Sequence, residues 1–166
     1  MTLSHEDTYE CPRCNEEVRP DDEFCAHCGE LFFEQVPCSV HRDRFAAGGC
    51  IICAKAFCSE CGGERHRAFL CNRHLGYEIY EENVRVFGTS DVVQAEFARD
   101  CLEKEGLHPV VFSRKASPLS LGAPDYTLFR ASGEFDGHIV NELKVMVPAQ
   151  EVLQAEKKLR GLRVLM

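Results

Sequence analysis

The amino-acid sequence predicts an α+β protein in which two small modules precede a globular domain of mixed helices and strands. Ten of the 11 cysteines lie before residue 72, mostly in pairs with two residues between them, and only Cys101 lies further along. From residue 84 the sequence instead alternates short apolar runs with helical periodicity. We therefore predict three domains in the chain of 166 residues, at 9–35, 36–76 and 83–166.

The first two modules are too short to bury a stable apolar core, so a crosslink or a metal must replace it. A secreted disulfide framework is the alternative to metal. The segment MTLSHEDTYE shows neither the basic flank nor the apolar stretch of a signal peptide. Cysteines paired with cysteine or histidine at two-residue spacing also suit a metal better. We therefore expect zinc in a reducing compartment, the cytoplasm, and we expect no membrane-spanning segment.

The first module has the spacing C-x2-C-x10-C-x2-C. Its predicted ligands are Cys11, Cys14, Cys25 and Cys28. Asn15 and Gly29 follow the two pairs, where a tight metal-binding turn needs a residue that tolerates positive φ. This pattern resembles a zinc ribbon, and four thiolates close a tetrahedral shell in the manner of a structural site. The same four thiolates would also suit iron, as in rubredoxins, and zinc is favoured.

The second module contains eight further candidate ligands in four pairs with two-residue gaps. The pairs are Cys38/His41, Cys50/Cys53, Cys58/Cys61 and Cys71/His74. Eight such donors make two tetrahedral zinc sites, so that three zinc ions are expected in all. The sites would form from sequential pairs or from interleaved pairs. The four-residue gap between Cys53 and Cys58 is short for enclosing a shared ion, which favours interleaving.

The phrase CxxH…CxxC…FCxxC over residues 38–74 resembles a B-box-type zinc finger. The resemblance implies a cross-brace, in which alternate pairs share an ion. Typical B-boxes end with two histidines, so His66 is an alternative to Cys71 as a ligand. The pair Cys71/His74 keeps the two-residue gap and is preferred. B-boxes also resemble RING fingers, but no feature of this sequence indicates a surface for a ubiquitin-conjugating enzyme.

The third domain is predicted to begin with a strand over residues 84–87 and a helix. Ser90 or Asp91 would cap the helix, and Asp91 with Gln94 fits a capping box. Gly106 would end the helix in the left-handed conformation.

One face of this helix is expected to be buried. Val93, Phe97 and Cys101 recur every four residues, and Ala98 and Leu102 widen the stripe. Cys101 is therefore interpreted as a core residue and not as a nucleophile.

Further strands are predicted at 107–112, 126–130 and 142–147, and Pro148 suits the first turn of a final helix. The residues expected to share the buried face of that helix are Val152, Ala155, Leu159 and Leu162.

The run VRVFGTSDVVQAEFARDCLEKEGLHPVVF, followed by ELKVMVPAQEVLQAEKKL, resembles a small family of prokaryotic signal-transducing proteins with a PII-like fold. The resemblance covers residues 84–162 and implies a ferredoxin-like βαββα domain. Its motifs are structural, so any signalling role rests on fold analogy.

The sequence shows closed metal sites and no coherent catalytic pattern, so we expect a non-enzymatic adaptor for a protein partner or a small effector. The net charge is −8, and residues 1–35 carry two basic and ten acidic side chains. Phosphate binding draws on clustered lysine and arginine, which makes nucleic acid an unfavourable partner. The middle module is mildly basic, so nucleic-acid binding through the zinc modules is the alternative hypothesis.

Overall fold

A computed structural model describes residues 8–113 and 143–162 of the chain. The chain divides into two compact units, with unit 1 ending at Glu82 and unit 2 beginning at Asn83. Both predicted small modules lie in unit 1. The strand predicted at 126–130 lies outside the described residues. In the part of the chain that is described, no helix is long and apolar enough to cross a membrane.

Unit 1 is built of short strands. They are β1 (Tyr9–Glu10), β2 (Glu17–Val18), β3 (Gly48–Cys50), β4 (Lys55–Phe57), β5 (Gly62–Arg65), β6 (Ala68–Cys71) and β7 (Ile79–Tyr80). β1 pairs with β2, β3 with β4 and β5 with β6, each as an antiparallel hairpin. Cysteines make up much of its buried interior, which agrees with a fold held together by metal sites.

Unit 2 combines a sheet with two α-helices. Its elements are β8 (Asn83–Thr89), α1 (Val92–Glu103), β9 (Val110–Ser113), β10 (Leu143–Pro148), a 3₁₀ turn (Ala149–Glu151) and α2 (Val152–Gly161). β10 lies between β8 and β9 and is antiparallel to both, so β8 and β9 run in the same direction. The register along β8 shifts between Val145 and Met146. α1 is the crossover that joins the two outer, parallel strands of this trio.

Asp91 is the N-cap of α1, as predicted. Its carboxylate accepts hydrogen bonds from the backbone N–H groups of Val93 (2.8 Å) and Gln94 (3.4 Å). The reciprocal half of the predicted capping box is wrong. The backbone N–H of Asp91 donates instead to the Thr89 hydroxyl (3.1 Å), and that hydroxyl donates to the Gln94 side chain (3.0 Å).

The buried face of α1 is narrower than the predicted one: Ala98 and Leu102 are buried as predicted, but Val93 and Phe97 are not. Ala95, Ala98 and Leu102 are fully buried, whereas Val93 is 76% exposed and Phe97 is 53% exposed. The predicted apolar face was therefore too wide, and the side of it that packs inward is the one with two alanines. Small side chains let the helix axis approach the sheet closely, while a line of valine and phenylalanine would hold it away. Cys101, predicted to lie in the core, is only partly buried.

The final helix begins later than predicted. Pro148 is the last residue of β10, and the 3₁₀ turn separates it from α2. Val152, Ala155 and Leu159 are buried as predicted. Leu162, predicted to share their face, follows the helix and is 38% exposed.

Candidate metal centres

Tight turns place each pair of cysteines in unit 1. Asn15 and Gly29 have positive φ (62° and 80°), which the sequence predicted. Each donates its N–H to the carbonyl of the first cysteine of its pair, Cys11 (2.9 Å) or Cys25 (2.8 Å). Ala54 adopts the same conformation after Cys53, with φ of 50°. Sequence reasoning missed this third turn, because alanine rarely adopts positive φ.

Site 1 is the cluster of four cysteines in the first module. Its members are Cys11, Cys14, Cys25 and Cys28, whose sulfur atoms all lie within 4.8 Å of one another. The Sγ atoms of Cys11 and Cys28 are 3.7 Å apart, and those of Cys14 and Cys25 are 3.5 Å apart. Two sulfurs on one tetrahedral zinc ion, each about 2.3 Å from it, would be about 3.8 Å apart. The cluster therefore fits a single zinc ion.

The eight ligands of the second module form two clusters from interleaved pairs. Site 2 consists of Cys38, His41, Cys58 and Cys61, and site 3 of Cys50, Cys53, Cys71 and His74. Nδ1 of each histidine faces two sulfurs. His41 Nδ1 is 3.4 Å from Cys58 Sγ and 3.3 Å from Cys61 Sγ, and His74 Nδ1 is 3.4 Å from Cys50 Sγ and 3.3 Å from Cys71 Sγ. Nitrogen and sulfur ligands of one zinc ion would be about 3.6 Å apart.

The structure places Cys71 in site 3 and His66 elsewhere. In the register of β5 and β6, Cys71 lies opposite Gly62, the residue that follows Cys61 in the sequence. His66 lies at the other end of the same hairpin, in the exposed turn, with φ of 51°. A residue at that end cannot contribute to the cluster that contains Cys71.

Without metal, each cluster combines thiols whose pKa is lowered with thiols whose pKa is raised. In site 3, a hydrogen bond from the Cys53 thiol lowers the pKa of Cys50 to about 4. The same contact raises the pKa of Cys53. In site 2, burial raises the pKa of Cys38, but backbone N–H groups, led by that of His41, outweigh it and bring the pKa to about 6. One thiolate thus forms readily beside a thiol that keeps its proton.

Site 1 shows the same division. Burial raises the pKa of Cys14 to about 11 and also raises that of Cys28. Burial also raises the pKa of Cys11, but backbone N–H groups that donate hydrogen bonds to its sulfur outweigh this effect, so that its pKa lies below the ordinary value. Several buried thiolates can share a small volume only when a cation compensates their charge. A divalent ion supplies that charge.

The donor sets identify the class of metal. Four sulfurs in site 1, and three sulfurs with one imidazole nitrogen in sites 2 and 3, are typical of structural zinc. Each cluster already offers four protein ligands, the full number for tetrahedral zinc. The described residues therefore provide places for three zinc ions.

Comparison with known proteins supports the assignment of site 1. The zinc-ribbon domain family matches residues 7–32, a segment that contains the four cysteines of site 1. No curated protein and no solved structure matches the chain.

Proposed function

We propose that this protein is a non-enzymatic, zinc-dependent adaptor that binds a protein partner or a small effector. The observation that carries the proposal is the closed shell of each of the three metal clusters in the described residues. Catalytic zinc keeps a position open for water or substrate, whereas each cluster here has four protein donors. Zinc in this protein then holds surfaces in place. Because the thiolates must stay reduced, the proposal also places the protein in the cytoplasm.

The middle module would be a B-box-type interaction domain. Its interleaved clusters support that interpretation, because they reproduce the cross-brace that the resemblance implies. In an interleaved pair of sites, each ion ties together two segments that flank a segment of the other site. The segments therefore cannot unfold one at a time. Such a module presents a rigid surface at little entropic cost on binding.

Unit 2 would be a ferredoxin-like domain of the PII-like kind. The support is the order β8, β10, β9 with α1 as the crossover. Placing an antiparallel strand between two parallel strands joined by a helix is the split β-α-β arrangement of that fold. This domain would carry the effector-binding or partner-binding role, with unit 1 as its zinc-stabilised companion.

Affinity capture with a pair of matched cysteine variants tests the adaptor function. The tagged, zinc-loaded full chain is incubated with nuclease-treated host lysate, and bound proteins are identified by mass spectrometry. Cys53→Ser breaks site 3, while Cys101→Ser removes a cysteine outside all three clusters. We expect a specific protein to be retained by the wild type and by Cys101→Ser and lost with Cys53→Ser. Equal recovery with all three proteins would refute a role for the zinc module.

One feature favours nucleic-acid binding as a second candidate. The turn between β5 and β6 consists of His66 and Arg67, flanked by Arg65, and all three are exposed. His66 and Arg67 both have positive φ (51° and 67°), a conformation that costs about 1–2 kcal/mol for a residue other than glycine. Backbone strain of this kind often accompanies a functional role, and the exposed guanidinium of Arg67 offers a positive charge to an anionic partner.

A gel-shift titration at 50 and 200 mM salt separates the two candidates. Phosphate contacts predict binding that weakens steeply with salt and is reduced by Arg67→Ala. The adaptor function predicts no shift at either concentration. Lys55→Ala, which removes an exposed positive charge from β4, is the matched control for loss of charge.

A further inference from the structure

The zinc ribbon and the middle module meet along a backbone contact within unit 1. The N–H of Gly49 donates to the carbonyl of Gly29 (2.9 Å), and the N–H of Phe69 donates to the carbonyl of Cys28 (2.9 Å). We call this pair of hydrogen bonds, with the Phe24 side chain beside it, the glycine seam. It joins the second metal-binding turn of the ribbon to strands β3 and β6.

The seam leaves no room for side chains on its glycines. A Cβ at Gly29 would lie 2.2 Å from the carbonyl oxygen of Gly49 and 2.7 Å from Cβ of Phe69. A Cβ at Gly49 would lie 2.0 Å from the ring of Phe24. Gly29 also has φ of 80°, so both its conformation and its surroundings require glycine. The two modules therefore approach at backbone distance.

The residues of the seam are neighbours of metal ligands on both sides. On the ribbon side, Cys28 is itself a ligand of site 1 and contributes its carbonyl to the seam. On the other side, Gly49 directly precedes Cys50, and β6 runs from the seam residue Phe69 to Cys71. Cys50 and Cys71 are both ligands of site 3. The ion in site 1 and the ion in site 3 would thus shape the two halves of one contact.

Site 2 is connected differently. The N–H of Ser39 donates to the carbonyl of Ala56 (2.8 Å), and the N–H of Asn72 donates to the carbonyl of Cys61 (2.8 Å). These bonds lie within the middle module and tie site 2 to the strands that carry site 3. They do not involve the ribbon.

We propose that sites 1 and 3 bind zinc cooperatively through the glycine seam. Each ion orders one side of the seam, so filling one site removes part of the ordering cost of filling the other. The strands that carry site 3 are hydrogen-bonded both to the ribbon and to the segments of site 2. Sites 1 and 3 then fill together over a narrow range of free zinc, whereas independent sites would fill gradually. This goes beyond an adaptor function, since it makes the contact between the ribbon and the middle module depend on zinc supply.

Site-resolved thiol protection in the full chain tests the proposal. The protein is equilibrated in zinc buffers of known free concentration and alkylated briefly, and peptide mass spectrometry gives the protected fraction of each cysteine. The midpoint for Cys11 and Cys14 reports site 1. Cys53→Ser, which breaks site 3, should raise that midpoint by about tenfold or more, within the range typical of coupled sites. Cys61→Ser, which breaks site 2, should move it by less than about threefold.

A second pair of variants keeps all twelve ligands. Gly49→Ala inserts a methyl group into the seam and should raise the site 1 midpoint as Cys53→Ser does. Gly63→Ala, in β5, is the matched control, because a Cβ there meets no atom of the described residues within 4 Å. An unchanged midpoint in both Cys53→Ser and Gly49→Ala would overturn the proposal. So would a shift in Cys61→Ser as large as that in Cys53→Ser, because coupling would then not depend on the seam.

Discussion

Two truncations on α1 distinguish the part of the predicted apolar face that the structure buries from the part that it leaves exposed. Leu102 is 0% exposed, so Leu102→Ala removes a fully buried side chain at a cost of about 3 kcal/mol. Phe97 is 53% exposed, so about half of its side chain already contacts water. Full burial of such a side chain contributes about 1.5–3 kcal/mol, and Phe97→Ala should therefore cost about 1 kcal/mol. The predicted stripe would instead give Phe97→Ala a cost of about 3–5 kcal/mol.

Guanidinium unfolding of the zinc-saturated full chain measures this difference. The α-helices of the described residues, α1 and α2, both lie in unit 2, so the helical circular dichroism signal follows that unit. We expect a gap of about 2 kcal/mol between the two variants, which corresponds to a clear displacement of the unfolding midpoint. Val93→Ala, at a position 76% exposed, is the control and should change stability by less than about 0.5 kcal/mol. A cost for Phe97→Ala equal to or above that of Leu102→Ala would refute the assigned face.

Three further predictions concern the metal and the helix cap. Metal analysis of the purified protein should give three zinc ions per chain, whereas two or fewer, or an iron–thiolate absorption band, would contradict the assignment. Zinc binding must expel protons from thiols such as Cys14, whose pKa is raised to about 11, and from Cys53, whose pKa is also raised. Zinc uptake should therefore release protons in a pH-stat. For each proton that is expelled, the affinity for zinc should fall about tenfold when the pH falls by one unit. An affinity that does not change with pH would argue against thiolate ligation. Asp91→Ala should cost unit 2 about 1 kcal/mol through loss of the helix cap, with Ser90→Ala near zero, as measured by the same denaturation. A neutral Asp91→Ala would show that the cap contributes nothing.

The metal ligands were accessible from the sequence because the chemistry that defines them is local. A two-residue gap between cysteines, followed by a residue suited to positive φ, specifies a metal-binding turn without reference to the rest of the chain. The same holds for Asp91, whose cap depends only on the first turn of α1. The interleaved pairing was also favoured in advance, from the short gap between Cys53 and Cys58, and the structure groups the ligands that way.

Features that depend on tertiary packing could not be predicted from the sequence. Periodicity predicted one wide apolar face on α1 that includes both Phe97 and Leu102, but the sheet beneath the helix buries only the side of Leu102. The glycine seam could not be predicted for the same reason, because the sequence does not show that the backbones of Gly29 and Gly49 meet.

The sequence alone thus determined the zinc-binding character of the protein and the residues that confer it, because ligand chemistry is written in residue type and spacing. Only the tertiary structure decided which strand lies between β8 and β9, which face of α1 is buried, and that the ribbon joins the middle module at backbone distance. These outcomes depend on the shape of surfaces that are distant in sequence. The pattern of residues along one segment does not specify the surface against which that segment packs.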